Sequence, residues 1–183
     1  MGNIKITTIA GHTNHYLIKK ATMKTLYMSR HAKSSWKQDV TDHQRPLKGR
    51  GEKDGVLVSA YVADNFPAPE LIISSEAVRA LSTATYYKDA WSMEAQNFKT
   101  NNDLYDFSGQ QVMRVIKDLN NSNNCVMIVG HNHAFTAIAN MLGSEYMDNM
   151  PTCGFVAIEF NVEAWQDVTK GKTIHRVFPR DLK

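Results

Sequence analysis

The sequence is poor in cysteine and has no long apolar run. It contains only two cysteines, Cys125 and Cys153, among 183 residues. They are too far apart for a zinc-ligand or redox motif, so we expect buried, reduced thiols. No stretch of about 20 residues is apolar enough to span a membrane. The first 22 residues also lack the apolar core of a signal peptide. These features predict a cytoplasmic protein with no membrane partner.

The sequence also lacks a basic stripe with interleaved aromatic residues, which is typical of nucleic-acid-binding proteins. Its net charge of +3 and its pI near 8.8 are weak evidence for such binding, so we expect no nucleic-acid partner. The positive charge is, however, unevenly distributed. Residues 24–53 contain eight Lys or Arg against three Asp or Glu, whereas residues 54–183 contain ten against fifteen. Residues 24–53 therefore hold either an anion-binding region or a solvated basic face.

No repeat, low-complexity tract or linker divides residues 23–183, which fit one domain of ordinary size. Residues 1–22 show neither core periodicity nor a motif that matches the rest of the chain. We therefore expect them to form an N-terminal tail outside the fold, with folding beginning at about Met23. His12 and His15 would then be tail residues and not ligands. The sequence leaves open whether this tail is native.

Short apolar runs alternate with stretches of helical periodicity along residues 23–183. Strands are predicted near residues 24–29, 71–74, 96–100, 125–129, 155–160 and 173–178. Helices are predicted at 48–65, at 76–87 with Ser74 or Ser75 as the cap, after a cap at Ser108, and at 134–142. Such alternation implies right-handed crossovers, and so a three-layer α/β/α fold with a central, mostly parallel sheet.

The first predicted strand ends in a segment that combines small residues, cations and an imidazole. Such residues are poor core material, but strand ends face the ligand crevice in open α/β sheets. Arg30 offers a planar fork of N–H donors that matches phosphate oxygens. His31 beside it offers a nitrogen nucleophile or a proton carrier. The segment is therefore either an oxyanion site or a basic surface loop with an incidental histidine.

Two later strands end in comparable groups. Arg79 lies in the first turn of the helix after the strand at 71–74, where a cation opposes the helix dipole unless an anion binds there. A solvent-facing arginine is the alternative. His131 directly follows the strand at 125–129. Because parallel strands place their carboxyl ends at one edge of a sheet, we expect these groups to converge with Arg30 and His31.

Four motifs follow one another in the chain. They are Arg30-His31-Ala32-Lys33-Ser34, Asp42 to Gly51 with Arg45-Pro46-Leu47, Ser74 to Ala84 with Arg79, and Val129-Gly130-His131-Asn132. Together they resemble the histidine phosphatase superfamily, and most of all its small branch that includes the phosphohistidine phosphatase SixA. The resemblance runs from Met23 to about Phe178 and implies a phosphoglycerate mutase-like fold. Ala32 departs from the glycine of many members, but alanine is also small.

The resemblance implies a metal-independent phosphatase that uses no cofactor. Its partner would be a phosphorylated substrate, either a phosphohistidine protein or a small phosphomonoester. His31 would attack phosphorus in line and form a phosphohistidine that water then cleaves. Arg30, Arg79 and His131 would hold the phosphoryl oxygens, and Ser34 would be a further phosphate ligand. The arginines would favour a neutral His31 by charge repulsion, while its other nitrogen would donate to a backbone carbonyl.

The identity of the general acid is open in this sequence. Larger members of the superfamily use a glutamate in the loop after the third strand. We assign the acid to the nearest counterpart, Asp106, with Asp103 and solvent as further candidates and a helix-end carboxylate as the alternative role. A phosphoramidate substrate would tolerate a missing acid, because its leaving nitrogen is easily protonated. An alkyl phosphate would need the acid.

Other interpretations compete with this one. His131 and His133 form a His-x-His pattern that binds metal in some hydrolases, but no carboxylate pattern accompanies it, and we predict no metal site. A phosphotransferase or mutase would need extra basic groups, for which segment 85–107 leaves little room. A non-catalytic phosphate-binding module could lose a histidine, whereas both are present. Trp36 and Tyr105 would cover core or line the substrate mouth, and core cover is favoured. Neither the physiological substrate nor the oligomeric state can be inferred from the sequence.

Overall fold

The computed structural model describes residues 23–37 and 39–183; the predicted tail, with His12 and His15, lies outside them. The strands are β1 (Lys24–Arg30), β2 (Leu71–Ser74), β3 (Phe98–Thr100), β4 (Cys125–Gly130), β5 (Phe155–Phe160) and β6 (Lys172–Val177). The helices are α1 (Gly49–Asn65), α2 (Val78–Ala90), α3 (Gln110–Lys117) and α4 (Ala134–Leu142). None of the described helices combines the length and the apolar character needed to cross a membrane.

The six strands form one sheet in the order β3-β2-β4-β1-β5-β6. The first four of these pair in parallel with one another. Strand β5 pairs antiparallel with β1 on one side and with β6 on the other. The predicted mostly parallel sheet between helical layers is therefore confirmed, with an antiparallel pair at one side. In the parallel part, Arg30 lies opposite Gly130 and Ser74 lies opposite Val129. The carboxyl ends of β1, β2 and β4 consequently meet at the same edge.

Strand β1 is held from both faces of the sheet. Leu26 and Met28 belong to the core cluster that includes residues of α3 and α4, and Tyr27 belongs to the cluster with residues of α1 and α2. All three side chains are buried. Successive side chains of a strand point to opposite faces of the sheet, and helices cover both faces here. Burial of one such side chain contributes roughly 1.5–3 kcal/mol. This packing fixes the strand that presents Arg30 and His31 at its end.

Two glycines inside α1 have a packing reason. A side chain at Gly51 would clash with the carbonyl oxygen of Lys33, and one at Gly55 would clash with the ring of Tyr86. The first contact brings the start of α1 against the loop after His31, and the second brings α1 against α2. Glycine weakens a helix interior. Here it allows α1 to pack closely against both the site loop and α2.

Helix α2 begins later than the sequence predicts. Its N-cap is Ala77, which has no side chain to accept a hydrogen bond, and the predicted caps Ser74 and Ser75 lie upstream. The hydroxyl of Ser74 donates to the Ser75 carbonyl oxygen, and that of Ser75 accepts from the Ala77 N–H. Ser75 also lies 2.9 Å from a ring nitrogen of His131. The Ser74 hydroxyl therefore stabilises the turn after β2, and the Ser75 hydroxyl contacts both this turn and His131. Neither is the N-cap of α2.

Both cysteines are free. Cys153 is buried, as predicted, whereas Cys125 at the start of β4 is half-buried. Burial raises the pKa of the Cys125 thiol to about 12. Cys125 is therefore a protonated and unreactive thiol at neutral pH.

Candidate active site

The ends of β1, β2 and β4 bring the predicted site residues together. The chain leaves β1 at His31, whose N–H donates to the Gly130 carbonyl oxygen over 2.9 Å. It leaves β2 at Ser75, whose N–H donates to the Val129 carbonyl oxygen over 2.9 Å. The same register places His31 and His131 with their ring centroids 5.0 Å apart. The three strand ends thus converge at one edge, as the alternation of elements predicts.

These strand ends form one wall of an open cavity of about 470 Å³. Five of the predicted site residues line it, namely Arg30, His31, Ser34, Arg79 and His131. The remaining lining residues are Lys33, Trp36, Asp42, Arg45, Tyr105, Phe107, Asn132 and Thr152. Lysine and arginine outnumber carboxylates in this set, so the cavity suits an anion.

His31 is buried and neutral. Its Nδ1 lies 2.8 Å from the Ala32 carbonyl oxygen, which can only accept a hydrogen bond, so Nδ1 carries the proton. In the neutral ring the other nitrogen, Nε2, therefore keeps a lone pair, which accepts from Arg79 Nε at 3.3 Å. Burial, together with the charges of the nearby arginines, lowers the pKa of His31 to about 3 against the opposing effect of the backbone hydrogen bond. A nucleophilic nitrogen is thus available at neutral pH.

Arg79 is buried and makes hydrogen bonds on all sides. Its Nε donates to His31, its Nη1 to the carbonyl oxygen of Asp42, and its Nη2 to Asp42 Oδ2 at 2.9 Å and to His131 Nδ1 at 3.3 Å. Thr83, one turn along α2, donates to the Arg79 carbonyl oxygen and accepts from the Ala32 N–H. The first turn of α2 is thereby tied to the loop after β1. Arg79 is a positioned cation and not a solvent-facing one.

Arg30 has a buried donor without a partner. Its Nη1 donates to the Met150 carbonyl oxygen over 2.8 Å. Its Nε is buried and makes no hydrogen bond to any residue of 23–37 or 39–183. Leaving such a donor unsatisfied costs about 1–3 kcal/mol. Because Arg30 lines the cavity, an anionic oxygen bound there would supply the missing acceptor.

His131 is buried between Arg79 and Ser75. Its Nδ1 faces a guanidinium nitrogen that can only donate, so Nδ1 accepts and Nε2–H donates to the Ser75 hydroxyl over 2.9 Å. Burial, together with the neighbouring His31 and Arg79, lowers the pKa of His131 to about 2. Gly130 precedes it because a side chain there would clash with the ring of Phe135. In this state His131 organises Arg79 and offers no proton to the cavity.

Sequence reasoning missed the part that Asp42 has in the site. Its Oδ1 accepts from Arg45 Nη1 at 2.6 Å, and its Oδ2 accepts from Arg79 and from the Tyr105 hydroxyl. Burial alone would raise the pKa of Asp42, but the hydrogen bonds from Tyr105 and Arg45 and the charge of Arg79 lower it to about 2. The spacing of three residues between Asp42 and Arg45 in the second motif could have indicated that these two side chains pair. Asp42 is an ionised carboxylate that orients both arginines.

Ser34, Trp36 and Phe107 line the same cavity as His31. The buried Ser34 hydroxyl accepts from Arg45 Nη2. The guanidinium carbon of Arg45 lies 3.2 Å from the centroid of the Trp36 ring. Trp36 and Phe107 are exposed. The structure thus favours the substrate-mouth interpretation for Trp36 and for Tyr105, which also lines the cavity.

Asp106 does not line the cavity, and the structure favours its alternative role as a helix-end carboxylate. Its two oxygens accept from backbone N–H groups at the start of α3, those of Ser108, Gly109, Gln111 and Val112. Burial would raise its pKa, but these hydrogen bonds and the one from the Ser108 hydroxyl lower it. An ionised carboxylate held in this way is a poor proton donor. Asp103 does not line the cavity either, and Gly109, not Ser108, is the N-cap of α3.

The His-x-His pattern does not form a shared site. His131 is buried, whereas His133 is exposed. Within residues 23–37 and 39–183, no group of three or more His, Cys, Asp or Glu side chains is placed to hold a metal ion. We therefore assign no metal ligand among these residues.

The chain has relatives among uncharacterised proteins. No family model matches it. An uncharacterised protein of Mycobacterium leprae is 32% identical over 114 residues, which cover 60% of this chain and 68% of that protein. An uncharacterised protein of Mycobacterium tuberculosis is 28% identical over 153 residues, covering 78% of this chain and 92% of that protein.

Solved structures share the fold. One is SixA of Agrobacterium tumefaciens, with a TM-score of 0.73, 23% identity and coverage of 85% of this chain and 98% of that one. A protein histidine phosphatase SixA in complex with tungstate has a TM-score of 0.74 and 17% identity, covering 87% and 99%. A mycobacterial glucosyl-3-phosphoglycerate phosphatase has a TM-score of 0.61 and 11% identity, covering 83% and 97%. The chain therefore belongs to one protein family with the Mycobacterium leprae protein, and it has the fold of the histidine phosphatase superfamily in the small form seen in SixA.

Proposed function

We propose that this chain is a phosphatase that transfers a phosphoryl group first to His31 and then to water, with a phosphohistidine side chain as its preferred substrate. One observation carries the proposal. The His31 imidazole is neutral, its Nδ1–H is held by the Ala32 carbonyl oxygen, and its Nε2 lone pair accepts only a long hydrogen bond from Arg79 in a cationic cavity. A nitrogen nucleophile next to a phosphate-matching guanidinium is the arrangement that phosphoryl transfer needs.

In the first step, Nε2 of His31 attacks phosphorus in line with the leaving group. The Nε2–P bond forms as the bond between phosphorus and the substrate's imidazole nitrogen breaks. The leaving imidazole takes a proton from water. Because Nδ1 of His31 stays bonded to Ala32, the phosphorylated ring keeps its orientation. The approaching phosphoryl group displaces the weak 3.3 Å hydrogen bond from Arg79 to Nε2.

The arginines supply the charge stabilisation. Arg30 Nε, which lacks a partner, and the donors of Arg79 would hold phosphoryl oxygens during transfer. His131 would add a donor once the phosphoryl dianion raises its pKa and Nδ1 takes up a proton. Positioned donors of this kind are worth about 10²–10³ in rate each. These cations can neutralise the phosphoryl charge themselves, so the proposed reaction needs no metal ion.

In the second step, water attacks the phosphohistidine on the face vacated by the leaving group. The new O–P bond forms as the Nε2–P bond breaks, which releases inorganic phosphate and restores the lone pair of His31. The proton lost by water balances the one taken up by the leaving imidazole. The enzyme returns to its starting state with one water consumed.

The substrate preference rests on the missing general acid. Asp106 is bonded to the α3 backbone, and Asp42 is ionised by its neighbours Arg45, Arg79 and Tyr105. Neither is a ready proton donor in the free enzyme. An imidazole leaving group accepts a proton from solvent easily, whereas an alkoxide needs a positioned acid. This chemistry favours phosphohistidine over alkyl phosphates, and the SixA structure with tungstate, whose fold the chain shares, is described as that of a protein histidine phosphatase.

Parallel hydrolysis assays test this proposal. A phosphohistidine peptide, p-nitrophenyl phosphate and an alkyl phosphate would be compared with and without a chelator. We expect turnover of the first two, very slow turnover of the third, and no effect of chelator. Loss of activity in chelator, or an alkyl phosphate hydrolysed as fast as the peptide, would contradict the mechanism.

A further inference from the structure

A second cavity, of about 540 Å³, lies next to the first and is lined by three arginines. They come from distant parts of the chain: Arg50 from the start of α1, Arg176 from β6, and Arg180 from the C-terminal turn. Asp148 is the one carboxylate among the described residues that line this cavity. We refer to it as the arginine cavity.

The two cavities share a wall. Thr152 is the one residue of the described chain that lines both of them. The backbone just before it is tied to the phosphate site, because the Met150 carbonyl oxygen accepts from Arg30 and from the Asn132 amide. The backbone just after it is tied there too, since Cys153 N–H donates to the Arg30 carbonyl oxygen. A ligand that passes over Thr152 therefore reaches from one cavity into the other.

The arginines of this cavity are only loosely engaged. Each makes an ion pair through its Nε, Arg50 with Asp54 at 3.5 Å, Arg176 with Glu145 at 3.3 Å and Arg180 with Asp181 at 3.6 Å. Charge-assisted hydrogen bonds of ordinary strength are about 2.7–2.9 Å long. The three side chains are 66%, 43% and 81% exposed. The carboxylates that pair with Arg176 and Arg180 are exposed as well, so these two ion pairs are easily exchanged for another anion.

The walls between the arginines are apolar. Met147, Pro151, Phe178 and Pro179 contribute to them. A cavity with apolar walls and guanidinium groups suits a carboxylate on an aliphatic stem, such as a glutamate side chain, because stem and charge are both matched. A bare phosphate ion would leave these walls without a partner.

We propose that the arginine cavity binds an acidic side chain of the polypeptide that carries the phosphohistidine. This inference rests on the proposed function and narrows its substrate to a phosphohistidine within an acidic segment. The phosphoryl group occupies the first cavity, the chain passes over Thr152, and a flanking carboxylate pairs with Arg176 and Arg180. The pairing affects substrate binding and leaves the chemical step at His31 unchanged.

Two peptides test the proposal, identical except that one carries glutamates and the other glutamines beside the phosphohistidine. We expect a KM roughly tenfold lower for the glutamate peptide, with equal kcat, and an advantage that shrinks as salt screens the charges. Combining Arg176→Gln with Arg180→Gln should remove the advantage and leave p-nitrophenyl phosphate hydrolysis unchanged. Arg50 is kept, because its partner Asp54 is buried.

Arg114→Gln is the matched control, since Arg114 is exposed on α3 and lines neither cavity. It should retain the full preference for the glutamate peptide. Melting temperatures of all variants report whether they fold. Equal KM values for the two peptides in the wild type, or an equal loss for both in the double variant, would overturn the proposal.

Binding is measured separately, so that the result does not depend on turnover. Calorimetry with peptides that carry a non-hydrolysable phosphohistidine analogue should show about tenfold tighter binding of the glutamate form to the wild type. If neither phosphohistidine peptide is hydrolysed, the proposed function fails. The difference in affinity between the two analogue peptides still tests whether the arginine cavity binds an acidic side chain. Equal affinities for the two analogue peptides would overturn it.

Discussion

The two cavities hold their arginines in different ways. Arg79 is 4% exposed and its guanidinium is held by His31, Asp42 and His131, whereas Arg180 is 81% exposed and has one long ion pair. The first is fixed by the parallel half of the sheet, and the second lies at the C-terminal turn beyond the antiparallel half. A pinned arginine can stabilise a transition state, because it needs no reorganisation. An exposed arginine can select among substrates at little cost to folding.

The largest effect is expected for the nucleophile. His31→Ala should lower turnover by at least about 10⁴-fold, because it removes the ring nitrogen that would form the bond to phosphorus. Vanadate should still bind through Arg30 and Arg79, as calorimetry can show. Folding is checked by the melting temperature. Turnover that survives in a well-folded His31→Ala protein would remove His31 from the reaction.

The second largest effect on activity is expected for Arg79, which is held by hydrogen bonds on all sides. Arg79→Gln should reduce kcat by about 10²–10³, the usual contribution of one preorganised donor. Arg79→Lys should recover little, since an ammonium lacks the planar fork that bonds Asp42 and His131 together. The glutamate peptide should keep its advantage over the glutamine peptide in both variants. A loss of that advantage would mean that the two cavities do not act separately.

A smaller effect is expected at Asp42, which we regard as a positioning residue. Asp42→Asn removes one negative charge. That charge orients Arg79 and Arg45, but it also repels an anionic substrate that enters the site. We expect kcat to fall roughly tenfold while KM also falls, because anion binding improves. A variant that is only less stable would lower activity without this split between kcat and KM.

Asp42 also makes a pH prediction. Its pKa is about 2 in the folded protein, below its ordinary value of about 3.9. The ionised carboxylate therefore contributes stability above about pH 4, and this contribution is lost as the pH falls towards 2. The melting temperature of the wild type should decline more steeply than that of Asp42→Asn over this range. Parallel curves would show that Asp42 is not coupled to the arginines.

The smallest effect on activity is expected at Asp106. Asp106→Ala should destabilise the protein by about 0.5–2 kcal/mol, because the backbone N–H groups at the start of α3 lose the carboxylate that accepts their hydrogen bonds. Hydrolysis of p-nitrophenyl phosphate and of phosphohistidine should change by the same small factor. A much larger loss for the phosphomonoester alone would restore Asp106 as the general acid.

The sequence predicted the parts of the site that lie at strand ends. Arg30, His31 and His131 each come directly after a buried run, so the topology of the sheet determines where they meet. Arg79 comes within one helical turn of β2 and is nearly as well determined. For such residues, local pattern and fold class together are sufficient.

The sequence does not determine where the side chains of the loop residues lie. Asp106 and Asp42 both precede polar segments, and nothing local shows that one bonds the amides of α3 while the other turns into the cavity. The position of Asp42 depends on Tyr105, which is 63 residues away in the chain. The arginine cavity could not be predicted from the sequence either, because Arg50 and Arg176 belong to no common motif and line one cavity only in the folded structure.

The most direct test of the central claim is to trap the intermediate. The protein would be mixed with a substrate labelled in its phosphoryl group, quenched within milliseconds in alkali, and digested to locate the label. We predict an acid-labile, base-stable phosphoryl group on the peptide that contains His31, and none in His31→Ala. Label on another residue, with His131 as the first to be examined, or steady turnover with no trapped label at any time, would contradict the account.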